Sequence, residues 1–136
     1  MNEILLTKSR AWAVQTLQVC RRAPDYKTEA VLLQLIRCAT GVGAILHEAA
    51  FGVPLREQLE KLSADVRMTS GALYWLDLSF AADVIPMEEY ESLKAEGEEL
   101  RLLFSGELRL MVERMSEKGA QEQTGPFFAG KCRFFS

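Results

Sequence analysis

Apolar residues in this 136-residue chain recur at steps of three and four, and strand-like alternation is scarce. That spacing brings one side chain per turn to the same face of an α-helix. Glycine and proline fall mostly at the edges of these runs, at Pro24, Pro54 and Pro86 and in a cluster from Gly119 to Gly130. Four helical segments lie between the marks. The third is the clearest: Leu55, Leu59, Leu62, Val66, Thr69, Leu73, Leu76 and Phe80 step alternately by four and three. An average step of about 3.5 is the seam of a helix lying nearly parallel or antiparallel to its neighbours. Pro54 suits the first turn, where a missing N–H is harmless.

The fourth segment opens at Pro86-Met87-Glu88-Glu89, with acids at the positive end of the helix dipole. Its seam is Leu93, Gly97, Leu100, Phe104, Leu108, Met111 and Met115, and its other face is rich in Glu, Lys and Arg. The run Glu96, Glu98, Glu99 reads as a solvated face, since no histidine lies near it to complete a ligand set. The first segment, about 4–22, predicts a stripe of Ala13, Leu17 and Cys20, with Trp12 and Val19 beside it.

The second segment carries two adjacent stripes: Leu32, Ile36, Ala39, Gly43, Leu46, Ala50 and Val31, Leu35, Cys38, Val42, Ile45, Ala49. A face that wide predicts the most buried helix of the four. Gly41 and Gly43 interrupt neither stripe, although each glycine costs a helix interior about 1 kcal/mol relative to alanine. They predict a patch where a neighbouring helix comes close, so that Gly43→Leu would disrupt the fold. The arrangement expected is all-α, an up-down-up-down antiparallel four-helix bundle over 1–117, with a tail over 118–136. A three-helix domain with a long flanking helix is the alternative. The tail shows no helical period, and holds Phe127-Phe128 and Phe134-Phe135. Such pairs predict a contact with the bundle or with a neighbouring subunit, against an inert segment.

A hydrophobic content of 49% with 26% charged residues fits one soluble globular domain. The net charge of −3 argues against a general nucleic-acid binder. The charge is uneven: Lys8, Arg10, Arg21 and Arg22 outnumber the two acids of residues 1–25, whereas residues 86–118 carry nine acids against five bases. A basic first helix beside an acidic last one suits pairing within a bundle or between subunits. Cys20, Cys38 and Cys132 have no metal-type spacing, and an odd count favours a reducing compartment. No secretory leader and no uninterrupted apolar run of membrane-spanning length is read, so the expected location is cytoplasmic.

The order of residues also resembles a family. Thr7-Lys8-Ser9-Arg10-Ala11-Trp12-Ala13-Val14, then QLIRCATGVGAILHEA over 34–49, Lys61-Leu62-Ser63, Leu73-Tyr74-Trp75-Leu76 and Glu98-Glu99-Leu100 carry the likeness. It is similar to the bacterial four-helix bundle proteins associated with intervening sequences of 23S rRNA genes, often labelled ribosomal-protein-like. Their second helix typically reads Q-L-L-R-S-G-T-S-I-G-A-N-I-x-E-A. The resemblance covers about residues 3–115 and implies compact bundles assembled as rings of five subunits, with no assigned biochemical role. A related bundle, the accessory protein of diversity-generating retroelements, is basic and binds nucleic acid beside a reverse transcriptase. This chain departs from the pattern at Gly41 and Ile45, where the family has serine and asparagine. It departs again at Arg67-Met68-Thr69-Ser70-Gly71-Ala72, where the family reads K-E-A-x-E-T.

The candidate sites weigh towards packing. His47 and Glu48 are neighbours about 100° apart on a helix, so they form no dyad with each other. Glu48 is expected to pair with Arg37 or with the first helix. Arg37, inside an apolar run, needs a partner or must reach solvent. Tyr74 and Trp75 are expected in core and interface. With Arg37, Gly41, Gly43 and Glu48 they form the expected packing and oligomer set. Lys8, Arg10, Arg21 and Arg22 are possible nucleic-acid contacts, and the four tail phenylalanines possible docking contacts. No phosphate loop, metal cluster or cofactor motif appears. The function expected is a non-enzymatic, homo-oligomeric interaction module. The alternative is a nucleic-acid or reverse-transcriptase accessory protein. A small-ligand or catalytic bundle comes last.

Overall fold

The structure, a computed structural model, describes residues 3–21 and 24–123. Four α-helices follow one another: α1 (Glu3–Val19), α2 (Tyr26–Ala49), α3 (Leu55–Ala81) and α4 (Met87–Gln123). Each packs on the next, and α4 returns to α1, so α1 lies diagonal to α3 and α2 to α4. This is the expected up-down-up-down bundle.

The chain reversals follow from local chemistry. Asp25 caps α2 by accepting from the Thr28 N–H at 2.7 Å. Those backbone hydrogen bonds favour the carboxylate and lower its pKa. Gly52 supplies a positive φ of 75° between α2 and α3, and Pro54 caps α3. After α3, Asp83 takes the left-handed conformation at φ 60°, which a short polar side chain tolerates. That turn lets the Val84 N–H reach the Ser79 carbonyl at 2.8 Å and drops Ile85 into the core. The same end is pinned by Tyr90, which stacks on Phe80 and donates to Asp77 Oδ1 at 2.6 Å.

Buried positions step by three and four in α1 to α3, at 5, 9, 12, 16, at 32, 35, 39, 42, 46, 49 and at 62, 65, 69, 72, 76, 79; in α4 they are 93, 97, 100, 104 and 111, with the half-buried Leu108 between the last two. The α4 seam is nearly the expected one. The α2 row draws alternately on both expected stripes. In α3 only Leu62, Thr69 and Leu76 of the expected seam are fully buried; Asp65, Ala72 and Ser79 complete the row, and Leu55, Leu59, Val66, Leu73 and Phe80 flank it. In α1 the expected stripe is displaced: Leu17 stays 47% exposed, and the inward row runs through Leu5, Ser9, Trp12 and Thr16.

That displacement has a physical reason. Buried hydroxyls here satisfy themselves on their own helix. Ser9 donates to the Leu6 carbonyl, Thr16 to Trp12, Thr69 to Asp65 and Ser79 to Trp75, all at 3.1 Å or less. A hydroxyl bonded in this way can replace a methyl in a core without an orphaned polar atom. Trp12 lies fully buried and donates its indole N–H to the Leu93 carbonyl at 3.0 Å, locking α1 to α4.

The helix α4 runs to Gln123, six residues past the expected boundary at 117. Ala, Gln and Glu are good helix formers and outweigh the single Gly119. The tail phenylalanines Phe127, Phe128, Phe134 and Phe135 lie outside the described residues, as do Arg22 and Cys132.

Candidate interaction site

An apolar groove opens between α1 and α2. The groove, about 410 Å³, is lined by Leu6, Ser9 and Ala13 of α1, by Thr40, Gly43 and Ala44 of α2, and by Arg10, His47 and Phe51 at its edges. A second opening, about 360 Å³, lies at the other end of the same helix pair, lined by Cys20, Leu32, Leu33 and Ile36 with Arg21 and Glu29. Phe51 is 70% exposed and Leu17 and Leu33 nearly half so. Alanine, glycine and serine make the floor shallow, and the longer apolar side chains stand at its borders.

Gly43 belongs to this groove rather than to a tight helix contact. A Cβ built there would meet only Ser9 Oγ, at an ordinary 3.8 Å. Gly43→Ala is therefore expected to leave the melting temperature unchanged or to raise it by about 1–4 °C, through better helix propensity. A thermal unfolding curve shifted downwards would refute this. The expectation that Gly43→Leu disrupts the fold is corrected for the same reason. The close glycines are elsewhere. A Cβ at Gly97 would lie 2.8 Å from Trp12 Cζ2 and 2.9 Å from Leu73 Cδ2. At Gly41 it would lie 2.5 Å from Met68 Sδ.

His47 and Glu48 face different seams. His47 turns to the α1 side and meets the Phe51 ring edge-on at 4.7 Å. Glu48 turns to α3 and accepts from Lys61 Nζ at 2.9 Å. The expected pairing of Glu48 with Arg37 or with α1 is thus corrected: helical phase carries residue 48 towards α3. Arg37 lies exposed on the outer face of α2, where its charge reaches solvent. Tyr74 is 60% exposed and Trp75 half-buried, their rings edge to face at 5.3 Å.

The basic residues of α1 are not gathered. Lys8 pairs with Glu99 of α4 at 2.9 Å, a contact of the basic first helix with the acidic last one. Arg10 borders the α1–α2 groove, and Arg21 lies at the other end of the same helix pair. Among the described residues, no group of three His, Cys, Asp or Glu is placed to hold a metal ion. Burial pushes the Cys20 thiol up to about 11, with Glu89 adding to the shift, and raises Cys38 as well. Both are therefore protonated, weakly reactive thiols at neutral pH.

One polar group stands apart. Asp65 is 0% exposed, and neither carboxyl oxygen has a hydrogen-bond partner. Burial raises its pKa to about 8, and the nearby charge of Lys61 only partly opposes this. Periodicity alone could not expose it, because the apolar seam that reads best in α3 skips position 65.

No family model and no curated protein matches the sequence. A solved structure does match: a protein of unknown function from the S23 ribosomal protein family of Bacteroides thetaiotaomicron. The two share a fold. The TM-score is 0.73 over 79% of this chain and 96% of that one, at 23% sequence identity.

Against the S23-family pattern, the departures noted in the sequence lie opposite one another. Met68 fills the space over Gly41, and Cys38 faces Gly71, its Sγ at an ordinary 3.6 Å from where a Cβ would lie. The α2–α3 seam is closed at those levels by sulfur and backbone rather than by polar groups. By length and composition α2 could also pass for a membrane span, with mean hydropathy 1.5 over eighteen residues. The core helix of a soluble protein and a signal sequence pass the same test, and 28% of that window is buried in the bundle, along the inward row of α2.

Proposed function

We propose that this chain is a divergent member of the S23 family and acts as a non-enzymatic interaction module that assembles with copies of itself. The open apolar groove between α1 and α2 carries the reading. Its floor of small residues has the shape that admits another helix. Gly43 supports this, since nothing inside the chain requires a glycine there. Pairing between subunits would use the basic rim at Arg10 and the acidic surface of α4. A ring of five is the expected form by resemblance, and a cytoplasmic location goes with it.

Light scattering at micromolar concentration tests the reading. The expected mass is a discrete oligomer larger than a dimer, and a monomer would overturn it. Gly43→Leu should leave the helical circular dichroism intact while lowering that mass, because leucine fills the groove rather than the core. The accessory role in nucleic-acid chemistry is the weaker reading, since Lys8 is already paired and Arg21 lies at the other end of the helix pair.

A further inference from the structure

The carboxyl of Asp65 is the one acidic group sealed in the described core, and it lacks the means by which its polar neighbours are satisfied. Ser9, Thr16, Thr69 and Ser79 each return a proton to a carbonyl of their own helix. An ionised carboxylate has no proton to give and would be left uncompensated. Lys61 stands one helical turn earlier on α3, within reach of position 65 by the i, i+4 spacing. Its ammonium is engaged elsewhere, on Glu48 of α2 at 2.9 Å, although its side chain is only 23% exposed. Lys61 thus stands between a surface acid and a buried one.

We propose that Glu48, Lys61 and Asp65 form a proton-operated exchange. While Asp65 holds its proton, Lys61 ties α3 to Glu48; when Asp65 ionises, Lys61 turns inward to it and releases Glu48. The proton leaves to solvent and no other group changes its protonation. The cation nearest in sequence, Arg67, lies exposed and donates to Ser63 of its own helix at 3.4 Å. On α2 the nearest charged groups are Glu48, which Lys61 holds, and His47, which faces the groove. On α1 the nearest charge, Lys8, is bound to Glu99. On α4 the charged residues around the level of the buried Phe104 are Arg101 and Arg109, both exposed, and Glu107, half-buried. On α3 itself, Glu57 acts on Lys61. Of all these charges, Lys61 alone is felt at the Asp65 carboxyl. Ionisation would therefore free Glu48 close to the C-terminal end of α2, where a negative charge is disfavoured by the dipole, and loosen the α2–α3 seam.

Carbon NMR of the aspartate carboxyls in the full chain, titrated from pH 5 to 10, reads the exchange directly. The Asp65 resonance is expected to titrate near pH 8, with the Lys61 ε-methylene resonance following the same midpoint. Glu48→Ala removes the competitor and should lower the Asp65 midpoint by about one unit or more, the effect of an available opposite charge. Lys61→Met should raise it. An Asp65 midpoint that ignores Glu48→Ala overturns the proposal, as does an ordinary midpoint near pH 4. Global unfolding in place of a folded, ionised form overturns it equally.

Discussion

Replacing Asp65 with leucine is expected to stabilise the protein by several kcal/mol at pH 7 and to remove most of the pH dependence of its stability. In the folded chain burial raises this carboxyl to about 8, against an ordinary value of 3.8. Between those two values the native state holds a proton that the unfolded chain has shed. Stability therefore falls as pH rises, by about 1.4 kcal/mol per unit for one proton. The loss begins near pH 4, grows through neutrality and levels off above pH 8, once both states are ionised. Leucine removes the titration and the orphaned oxygens together, and asparagine removes only the titration. Urea unfolding at pH 5, 7 and 9 separates the cases. The parent midpoint should fall across the series relative to both variants, and Asp65→Leu should stand highest at each pH. A parent whose midpoint runs parallel to that of Asp65→Asn from pH 5 to 8 would show that the carboxyl ionises normally.

Trp12→Ala is expected to cost about 3–5 kcal/mol, the range for truncating a large buried aromatic. The ring is fully buried, and its N–H bond to Leu93 would be lost with it. Gly97 sharpens the test. It lies on α4 one turn beyond Leu93, and a Cβ there would lie 2.8 Å from Cζ2 of the same ring. Because the indole is anchored at Leu93, it cannot slide away from a new methyl group. Gly97→Ala should therefore destabilise by about 1–3 kcal/mol through overpacking, despite the better helix propensity of alanine. The double variant should be less unstable than the sum of the two, since the cavity left by Trp12 accepts the methyl. Additive losses in a double-mutant cycle by urea unfolding would show that the glycine and the ring do not meet.

The sequence made some parts of this architecture plain and hid others for identifiable reasons. The α4 seam was legible because its inward positions are nearly all large apolar residues between charged neighbours. The helix α2 was legible as the widest apolar face, although which of its residues form the central row was settled only by packing on both α1 and α3. The inward face of α1 was misread because Ser9 and Thr16 look polar as letters and act as small core groups once their hydroxyls are bonded to the preceding turn. Asp65 was missed for a related reason: an acid between apolar positions reads as surface, and only burial reveals it. The two glycines of α2 looked alike in sequence and proved opposite in role, Gly41 lying against Met68 and Gly43 open to the groove. For the candidate site, Ala13, Cys20, Leu32, Ile36 and Gly43 were legible as packing positions and Arg10 and Arg21 as basic contacts, whereas Leu6, Leu33 and Phe51 carried no signal of their own. That the face stands open could be seen only with the four helices assembled.

The contact of Gly41 with Met68 also constrains how such a bundle can drift. Any side chain at 41 brings its first carbon within 2.5 Å of the Met68 sulfur as it now lies. A methionine arriving at 68 opposite a serine would have to find another rotamer, whereas a glycine arriving first at 41 opens a small gap. Because that sulfur lies near the free end of an unbranched side chain, it can turn aside, at the loss of its contact with the α2 backbone. Two positions twenty-seven residues apart in the chain thus set each other's choice of side chain across the α2–α3 seam.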